Sequence, residues 1–132
     1  LKVPHRDIEE LFRRMVFNVV FCNSDDHLKN HSFIYNELED RWNLSPAYDV
    51  TYSLNPLMNY KRTIRALSIN SKRVEISLTD LLTLADTYTV KNVKNVVKEV
   101  QNAIVFWNEK ANELGLPSKI IESIQKDFVR LV

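Results

Sequence analysis

Glycine is almost absent from this chain. Gly115 is the one glycine among 132 residues, where average composition would give about nine. The loops that cradle phosphates in P-loop proteins, dinucleotide-binding folds and kinase nucleotide sites each need several glycines. The sequence therefore contains no such loop, and any nucleotide chemistry here has to rest on other groups.

Cysteine is nearly absent as well, and the chain has neither long apolar runs nor an excess of one charge. Cys22 stands alone, which excludes an internal disulfide and favours a buried thiol in a reducing, cytoplasmic compartment. No apolar run approaches bilayer length, and the first residues lack the order of a signal peptide, so no membrane partner is expected. Lys and Arg number 18 and Asp and Glu 17, a net charge of +1. Direct nucleic-acid binding is therefore not expected.

The length of the chain bounds its organisation. A chain of 132 residues can bury one core but not two. Residues 1–132 are predicted to form a single domain. Because the chain begins with Leu1 rather than Met, it is interpreted as a fragment of a longer protein.

Helical periodicity dominates the sequence. Apolar residues recur at the i, i+3, i+4, i+7 spacing of one helix face. The predicted helices cover residues 8–20, 79–88, 90–114 and a last segment after Leu116-Pro117-Ser118. Asp7 is placed to cap the first helix or favour its first turn, Thr89 to cap the long one, and Gly115 to occupy the C′ position after it.

Two segments have the composition of hairpins. Ser32–Tyr35 and Trp42–Leu44 are short aromatic and aliphatic runs around a polar loop, which predicts a hairpin. The segment Ile64–Ile76 is compatible with a second hairpin or with an irregular connection. The predicted fold is mainly α, a helical domain with one or two small β-hairpins.

The densest cluster of reactive side chains follows the first helix, in "NSDDHLKNHSF". Asp25, Asp26, His27 and His31 offer carboxylate and imidazole groups, and the histidines have the i, i+4 spacing of zinc-binding helices. The segment lacks both a Glu beside the first His and helical periodicity. A transition-metal site is therefore the minor alternative, and His31 is interpreted as a loop or hairpin-edge histidine.

The same segment fits phosphoryl transfer better. Protein kinases place their catalytic base and a metal-binding asparagine as D-x-x-x-x-N, with a further aspartate after a short hairpin. Asp25 and Asn30 match that spacing, and Asp49 in "SPAYDV" follows the predicted hairpin. Carboxylate and amide oxygens suit Mg²⁺. The hairpin folds the chain back, so that oxygens distant in sequence can meet.

Three motifs together carry a family resemblance. "NSDDHLKNHSF", "WNLSPAYDV" and "LSINSKRVEISLTDLLTLA" resemble the C-terminal lobe of the HipA-type serine/threonine kinases, the toxins of bacterial toxin–antitoxin pairs. The resemblance covers most of the chain and implies a protein-kinase-like helical C-lobe. It also implies ATP as substrate, Mg²⁺ as cofactor, a protein phosphorylated on serine or threonine, and a small DNA-binding antitoxin as partner.

The resemblance also assigns roles to single residues. Asp25 matches the catalytic base, Asn30 a metal ligand, and Asp49 the DFG aspartate of ordinary kinases. Val50 and Thr51 follow where Phe-Gly would stand, so the aromatic switch of ordinary kinases is not implied.

The neighbouring residues have open roles at this stage. His27 could either brace the loop by hydrogen bonding or contact substrate. Lys29 could either neutralise phosphate charge or be solvated. Asp26 is interpreted as a bystander or a weak second carboxylate. Tyr48 is expected to pack rather than react.

An interaction module without activity is the alternative function. The resemblance implies that the loop covering the phosphates and the N-lobe lysine lie upstream of Leu1, so the isolated chain is not expected to hold ATP tightly. The basic stretch Asn59–Val74 could meet phosphate, although basic loops are usually solvated. Lys91, Lys94 and Lys98 are interpreted as a solvent-facing stripe, and Trp42 and Trp107 as packing residues.

Overall fold

A computed structural model describes residues 2–53 and 64–132. Helices predominate in these ranges, which confirms the mainly α fold. The elements are α1 His5–Val20, a 3₁₀ turn Leu28–Asn30, β1 Phe33–Asn36, β2 Arg41–Leu44, α2 Leu78–Thr87, α3 Val93–Asn102, α4 Val105–Glu113 and α5 Ser118–Asp127. None of the described helices has the length and apolarity that crossing a membrane would require.

The core lies between α1, α2 and α3. α1 packs mainly on α3, and Val16, Val20 and Val97 at this contact are fully buried. The buried apolar side chains of the core are Phe12, Val16, Val19, Val20, Ile69, Ile76, Leu81, Ala85, Val90, Val93, Val97, Val100 and Ile104. The apolar series of the first helix thus predicts its buried face correctly.

The N-terminus of α1 is tied to the hairpin. Pro4 occupies the N-cap position, so Asp7 lies in the first turn and is not the cap. Its Oδ2 accepts a hydrogen bond from the Leu44 amide at 2.7 Å and lies 3.4 Å from Asn43 Nδ2. A first-turn carboxylate favoured by the helix dipole therefore also anchors β2.

The predicted first hairpin is confirmed. β1 and β2 pair antiparallel with Phe33 opposite Leu44 and Tyr35 opposite Trp42. The Tyr35 and Trp42 rings lie 5.3 Å apart, so Trp42 packs within the hairpin as expected. Asn36 Oδ1 accepts the amide of Leu38 at 3.0 Å, an Asx turn that starts the loop.

The second segment is an irregular connection. Within the described part of 64–76 the β pairing is a single bridge between Ile69 and Lys72. Asn70 and Ser71 between them both have positive φ. Two consecutive left-handed residues make a tight turn, and Ile69 remains buried in the core beside it.

The predicted long helix over 90–114 is wrong, because the chain bends between α3 and α4. The amides of Ala103 and Ile104 donate to carbonyls three residues back, at 3.2 and 3.1 Å, which tightens the helix into a turn. Ile104 is buried there, while α4 turns away to pack on α5. Thr89 is not the cap, since Asn92 holds the N-cap position of α3.

The glycine and proline predicted at the ends of the later helices occupy capping positions. Gly115, predicted at the C′ position, has φ +76° directly after the C-cap of α4. Pro117 is the N-cap residue of α5, and Ile121 is the buried residue of that helix. Trp107 packs edge-on against Phe128 with ring centroids 5.5 Å apart, so it is a packing residue as expected. Lys91, Lys94 and Lys98 are all exposed.

A capping box starts α2. Ser77 Oγ accepts the Asp80 amide, and the Ser77 amide donates to Asp80 Oδ2 at 2.8 Å. Burial would raise the pKa of Asp80, but hydrogen bonds from Lys72, Asn70 and Ser77 outweigh it and hold that pKa well below its ordinary value. The carboxylate is therefore charged in the folded protein across the physiological range.

Replacing Ser77 by alanine should lower the free energy of unfolding by about 1 kcal/mol, because the N-terminus of α2 loses its cap. The lowered pKa of Asp80 stabilises the folded protein at pH values above its ordinary pKa of 3.8. This stabilisation is lost as the pH falls through the pKa that Asp80 has in the folded state. The deficit of the variant should therefore be fully present at neutral pH and shrink in acid. Urea unfolding measures the deficit. Ser118→Ala is the control and should be nearly neutral, because Ser118 begins α5, which has no side-chain cap.

Candidate active site

The loop that carries the predicted site leaves α1 in a fixed direction. Cys22, at φ 59°, breaks the helix after Phe21. The Asn23 amide then donates to the Asn18 carbonyl at 2.9 Å, and Asn23 Nδ2 to Asn18 Oδ1 at 3.1 Å. Both asparagines are buried. The two asparagines at this end of α1 thus fix the direction in which the loop leaves the helix. Helical periodicity does not predict these contacts.

Asp25 and Asn30 are held together by a direct hydrogen bond. Asn30 ends the 3₁₀ turn Leu28–Asn30, and its Nδ2 donates to the Asp25 carbonyl at 3.0 Å. This bond uses the amide nitrogen, so Asn30 Oδ1 remains an acceptor. The Asp25 side chain is exposed. The D-x-x-x-x-N spacing therefore corresponds to one closed loop.

Asp49 follows the hairpin on a strained and exposed backbone. Its φ of 51° lies in the left-handed region, which costs energy for a residue other than glycine. Tyr48 beside it donates its hydroxyl to the Lys29 carbonyl at 2.7 Å and lies 2.5 Å from Ser32 Oγ. Tyr48 therefore fixes this segment on the loop next to Asn30, a role beyond the packing expected for it.

Ser53 fixes the other end of the same segment. Its Oγ accepts the amides of Ser24 at 2.9 Å and Asp25 at 3.1 Å, and donates to Asn23 Oδ1 at 3.2 Å. The Ser53 amide donates to the Cys22 carbonyl at 3.1 Å. Sequence reasoning missed Ser53, because a lone serine after an aspartate carries no recognisable pattern. Residues 48–53, with Asp49 near their start, are thus anchored to the loop at both ends.

Asp26 is a buried partner of Arg65. The Arg65 guanidinium donates to Asp26 Oδ2, and the two side chains are 7% and 4% exposed. Burial lowers the pKa of Arg65, while the charge of Asp26 and its hydrogen bond oppose that shift. The Asp26 carboxylate is committed to this pair, so it is not free to act as a second carboxylate beside Asp25.

The basic stretch is not a free cationic surface in the part that the structure describes. Lys61 and Arg62 lie outside the described residues. Arg65 pairs with Asp26, Lys72 Nζ lies 2.9 Å from Asp80 Oδ2, and Arg73 Nε donates to the Arg65 carbonyl at 2.7 Å. The expectation of a solvated basic loop is therefore wrong for Arg65.

The remaining predicted residues, His27 and Lys29, lie within the loop. His27 Nδ1 is buried and has no hydrogen-bond partner among the described residues, so no contact within those ranges uses this atom to brace the loop. Lys29 is exposed, and its carbonyl rather than its ammonium receives the contact from Tyr48. Among the described residues no three His, Cys, Asp or Glu side chains gather as metal ligands, and Asp26 is already committed to Arg65.

A second polar cluster lies behind the site, where the C-terminal segment meets the loop. Tyr52 donates its hydroxyl to Asp127 Oδ2 at 2.6 Å, and Cys22 Sγ donates to the Asp127 carbonyl at 3.0 Å. Burial, with the nearby charge of Asp127, raises the pKa of Cys22 to about 12. Burial and the bond to Asp127 also raise the pKa of Tyr52. Both groups are therefore neutral donors that hold the C-terminus against the site.

Comparison with known sequences identifies the family of the chain. A curated protein of Sinorhizobium fredii (strain NBRC 101917 / NGR234), named "Putative kinase Y4dM", is 26% identical to the chain over 125 residues. The alignment covers 89% of this chain and 29% of that protein, so the chain spans less than a third of the relative it matches. The sequence model of the HipA-like C-terminal domain matches residues 1–127, which include the loop after α1, the hairpin and Asp49. The chain belongs to the HipA-like C-terminal domain family.

Proposed function

We propose that this chain is the C-terminal lobe of an ATP-dependent serine/threonine kinase of the HipA type. In this proposal Asp25 is the catalytic base, and Asn30 and Asp49 are the ligands of Mg²⁺. Membership of the HipA-like family and the name of the curated relative support kinase chemistry. The activity belongs to the whole protein, of which the chain supplies the base and the metal ligands.

One observation carries the proposal. The segment 48–53 is anchored to the loop of Asp25 and Asn30 at both ends, through Tyr48 on the Lys29 carbonyl and through Ser53 on the Asp25 amide. Asp49 lies between these anchors with a strained backbone. The two anchors therefore fix Asp49 relative to the loop of Asp25 and Asn30.

The backbone of Asp25 is well suited to a positioned base. Its amide is held by Ser53 Oγ and its carbonyl by Asn30 Nδ2, so both of its peptide groups are fixed while the carboxylate faces solvent. A carboxylate presented in this way can accept the proton of a serine or threonine hydroxyl as that hydroxyl attacks phosphorus. Fixing the backbone in advance avoids reorganisation during the reaction.

The donor set fits Mg²⁺ rather than a softer metal. Asn30 offers Oδ1, since its nitrogen is engaged with Asp25, and Asp49 offers an exposed carboxylate. Hard oxygen donors of this kind, few in number, are what Mg²⁺ shares with substrate phosphates. When bound, Mg²⁺ would supply neutralisation of phosphate charge. Lys29, exposed at the same turn, is available to neutralise phosphate charge, and His27 to contact substrate.

The partners in this proposal follow the family. The phosphate acceptor is a cytoplasmic protein with a target serine or threonine, and a small DNA-binding antitoxin is the regulatory partner. An inactive lobe that only binds such a partner remains the competing function, and phosphoryl transfer separates the two.

Asp49→Ala in the intact protein should reduce ATP-dependent phosphorylation by a factor of at least about 10², because a lost metal ligand removes charge stabilisation from the transition state. The exposed carboxylate contributes little to the core, so thermal melting should be unchanged. Transfer of radiolabelled phosphate to proteins of a heat-treated cell extract, followed by phosphoamino-acid analysis, measures the effect. A Mg²⁺ titration shows whether excess metal restores the rate.

Asp86→Ala removes an equally exposed carboxylate from α2 and should leave the rate unchanged. Two results would contradict the proposal. Full activity in Asp49→Ala would reject the metal role, and a wild-type protein without any transfer from Mg·ATP would favour the binding module.

A further inference from the structure

Asp25 and Asp26 are adjacent but lie in different surroundings. The Asp25 side chain is exposed, while Asp26 is buried against Arg65. Holding the Asp26 carboxylate in one place therefore also fixes the rotation of the backbone that presents Asp25 to solvent.

Arg65 is itself held rigidly. Its amide donates to the Arg73 carbonyl at 2.9 Å, and its carbonyl accepts Arg73 Nε at 2.7 Å. The next residue, Ala66, donates its amide to the Ser24 carbonyl at 2.9 Å, one residue before Asp25. The Leu67 amide lies 3.4 Å from Asp26 Oδ1. Residues 65–67 thus contact the loop on both sides of Asp25.

We infer that Asp26 and Arg65 are a positioning pair, which sets the orientation of Asp25 for phosphoryl transfer without touching substrate. The inference rests on the proposed function. A buried ion pair is a poor stabiliser compared with apolar side chains of similar size, because its desolvation offsets its attraction. Its specific contribution here is geometric, since it ties the loop of Asp25 to residues 65–67.

The test separates orientation from stability by replacing both partners. Asp26→Leu/Arg65→Met in the intact protein puts apolar side chains where the charges lie, and its melting temperature should exceed that of Arg65→Met alone. If the pair orients Asp25, kcat should still fall by about 10- to 100-fold while KM for ATP stays within about twofold. Hydrogen exchange should accelerate in the peptide covering residues 23–31 and stay slow in α1 and α3.

A milder variant covers the case in which the double variant does not fold. Arg65→Lys keeps a cation beside Asp26 but loses the planar fork of donors, so it should fold and show the same loss of kcat and faster exchange of 23–31. Arg13→Met/Glu99→Leu removes an exposed pair of the same type, 44% and 61% exposed, and should change neither readout.

Wild-type kcat and wild-type exchange of 23–31 in the folded variants would overturn the inference, as would a loss of kcat matched by faster exchange throughout α1 and α3. If the wild-type protein transfers no phosphate, the proposed function fails. Exchange of 23–31 against α1 and α3 then still decides whether the pair orders the loop.

Discussion

Asp25→Ala in the intact protein is expected to lower phosphoryl transfer by a factor of about 10²–10⁴, the range that general-base catalysis contributes. The substitution removes only the carboxylate. Both hydrogen bonds that hold this residue, from Asn30 Nδ2 and to Ser53 Oγ, use backbone atoms that alanine retains. The loop should therefore keep its shape, and KM for ATP should change little. Radiolabelled phosphate transfer and thermal melts on the same preparations measure rate and folding separately.

Lys91→Ala is the control for that experiment. Lys91 is exposed and lies just before α3, so its loss should leave both the rate and the melt unchanged. Normal activity in Asp25→Ala with normal melting would remove Asp25 from the mechanism. An interaction module would then be the better account of the chain.

Arg65→Met is expected to cause the largest loss of stability, about 3–5 kcal/mol. The substitution leaves the Asp26 carboxylate buried without its cation, and an uncompensated buried charge costs that much. Arg65 is also sealed from water, with its side chain 7% exposed, so solvent cannot replace it without opening the structure. Urea unfolding monitored by circular dichroism gives the difference in free energy of unfolding.

Arg13→Met is the matched control for this effect. Arg13 also forms an ion pair with a glutamate, Glu99, at 2.5 Å, but both side chains are largely exposed. Exposed pairs contribute about 0–1 kcal/mol. A loss in Arg65→Met no larger than that in Arg13→Met would mean that water or another group takes over the contact with Asp26.

Local patterns were sufficient to predict much of the fold. The apolar series of α1, the polar loop between β1 and β2, and the glycine after α4 each depend on neighbours a few residues away. The break at Ala103 and Ile104 was not predictable in this way, because no proline or glycine marks it. Ile104 is buried in the core while α4 turns towards α5, so packing decides the bend.

The same distinction holds for the site. Asp25, Asn30 and Asp49 could be proposed as site residues because their residue types and spacing match a chemical requirement. Their supports could not, because the partners are far apart in sequence. Arg65 lies 39 residues from Asp26, and Ser53 lies 28 residues from Asp25. A serine and an arginine at such distances have no pattern of their own, so only the folded structure identifies them.

The burial of Cys22 makes its thiol a probe for local opening of the structure. Thiolates, not thiols, react with alkylating reagents, and a pKa of about 12 keeps this sulfur protonated and unreactive in the folded state. Its Sγ donates to the Asp127 carbonyl, so separation of the C-terminal segment from the end of α1 would expose it to a reagent. Because this chain contains no other cysteine, the rate of its labelling measures how often that junction, directly behind the Asp25 loop, opens.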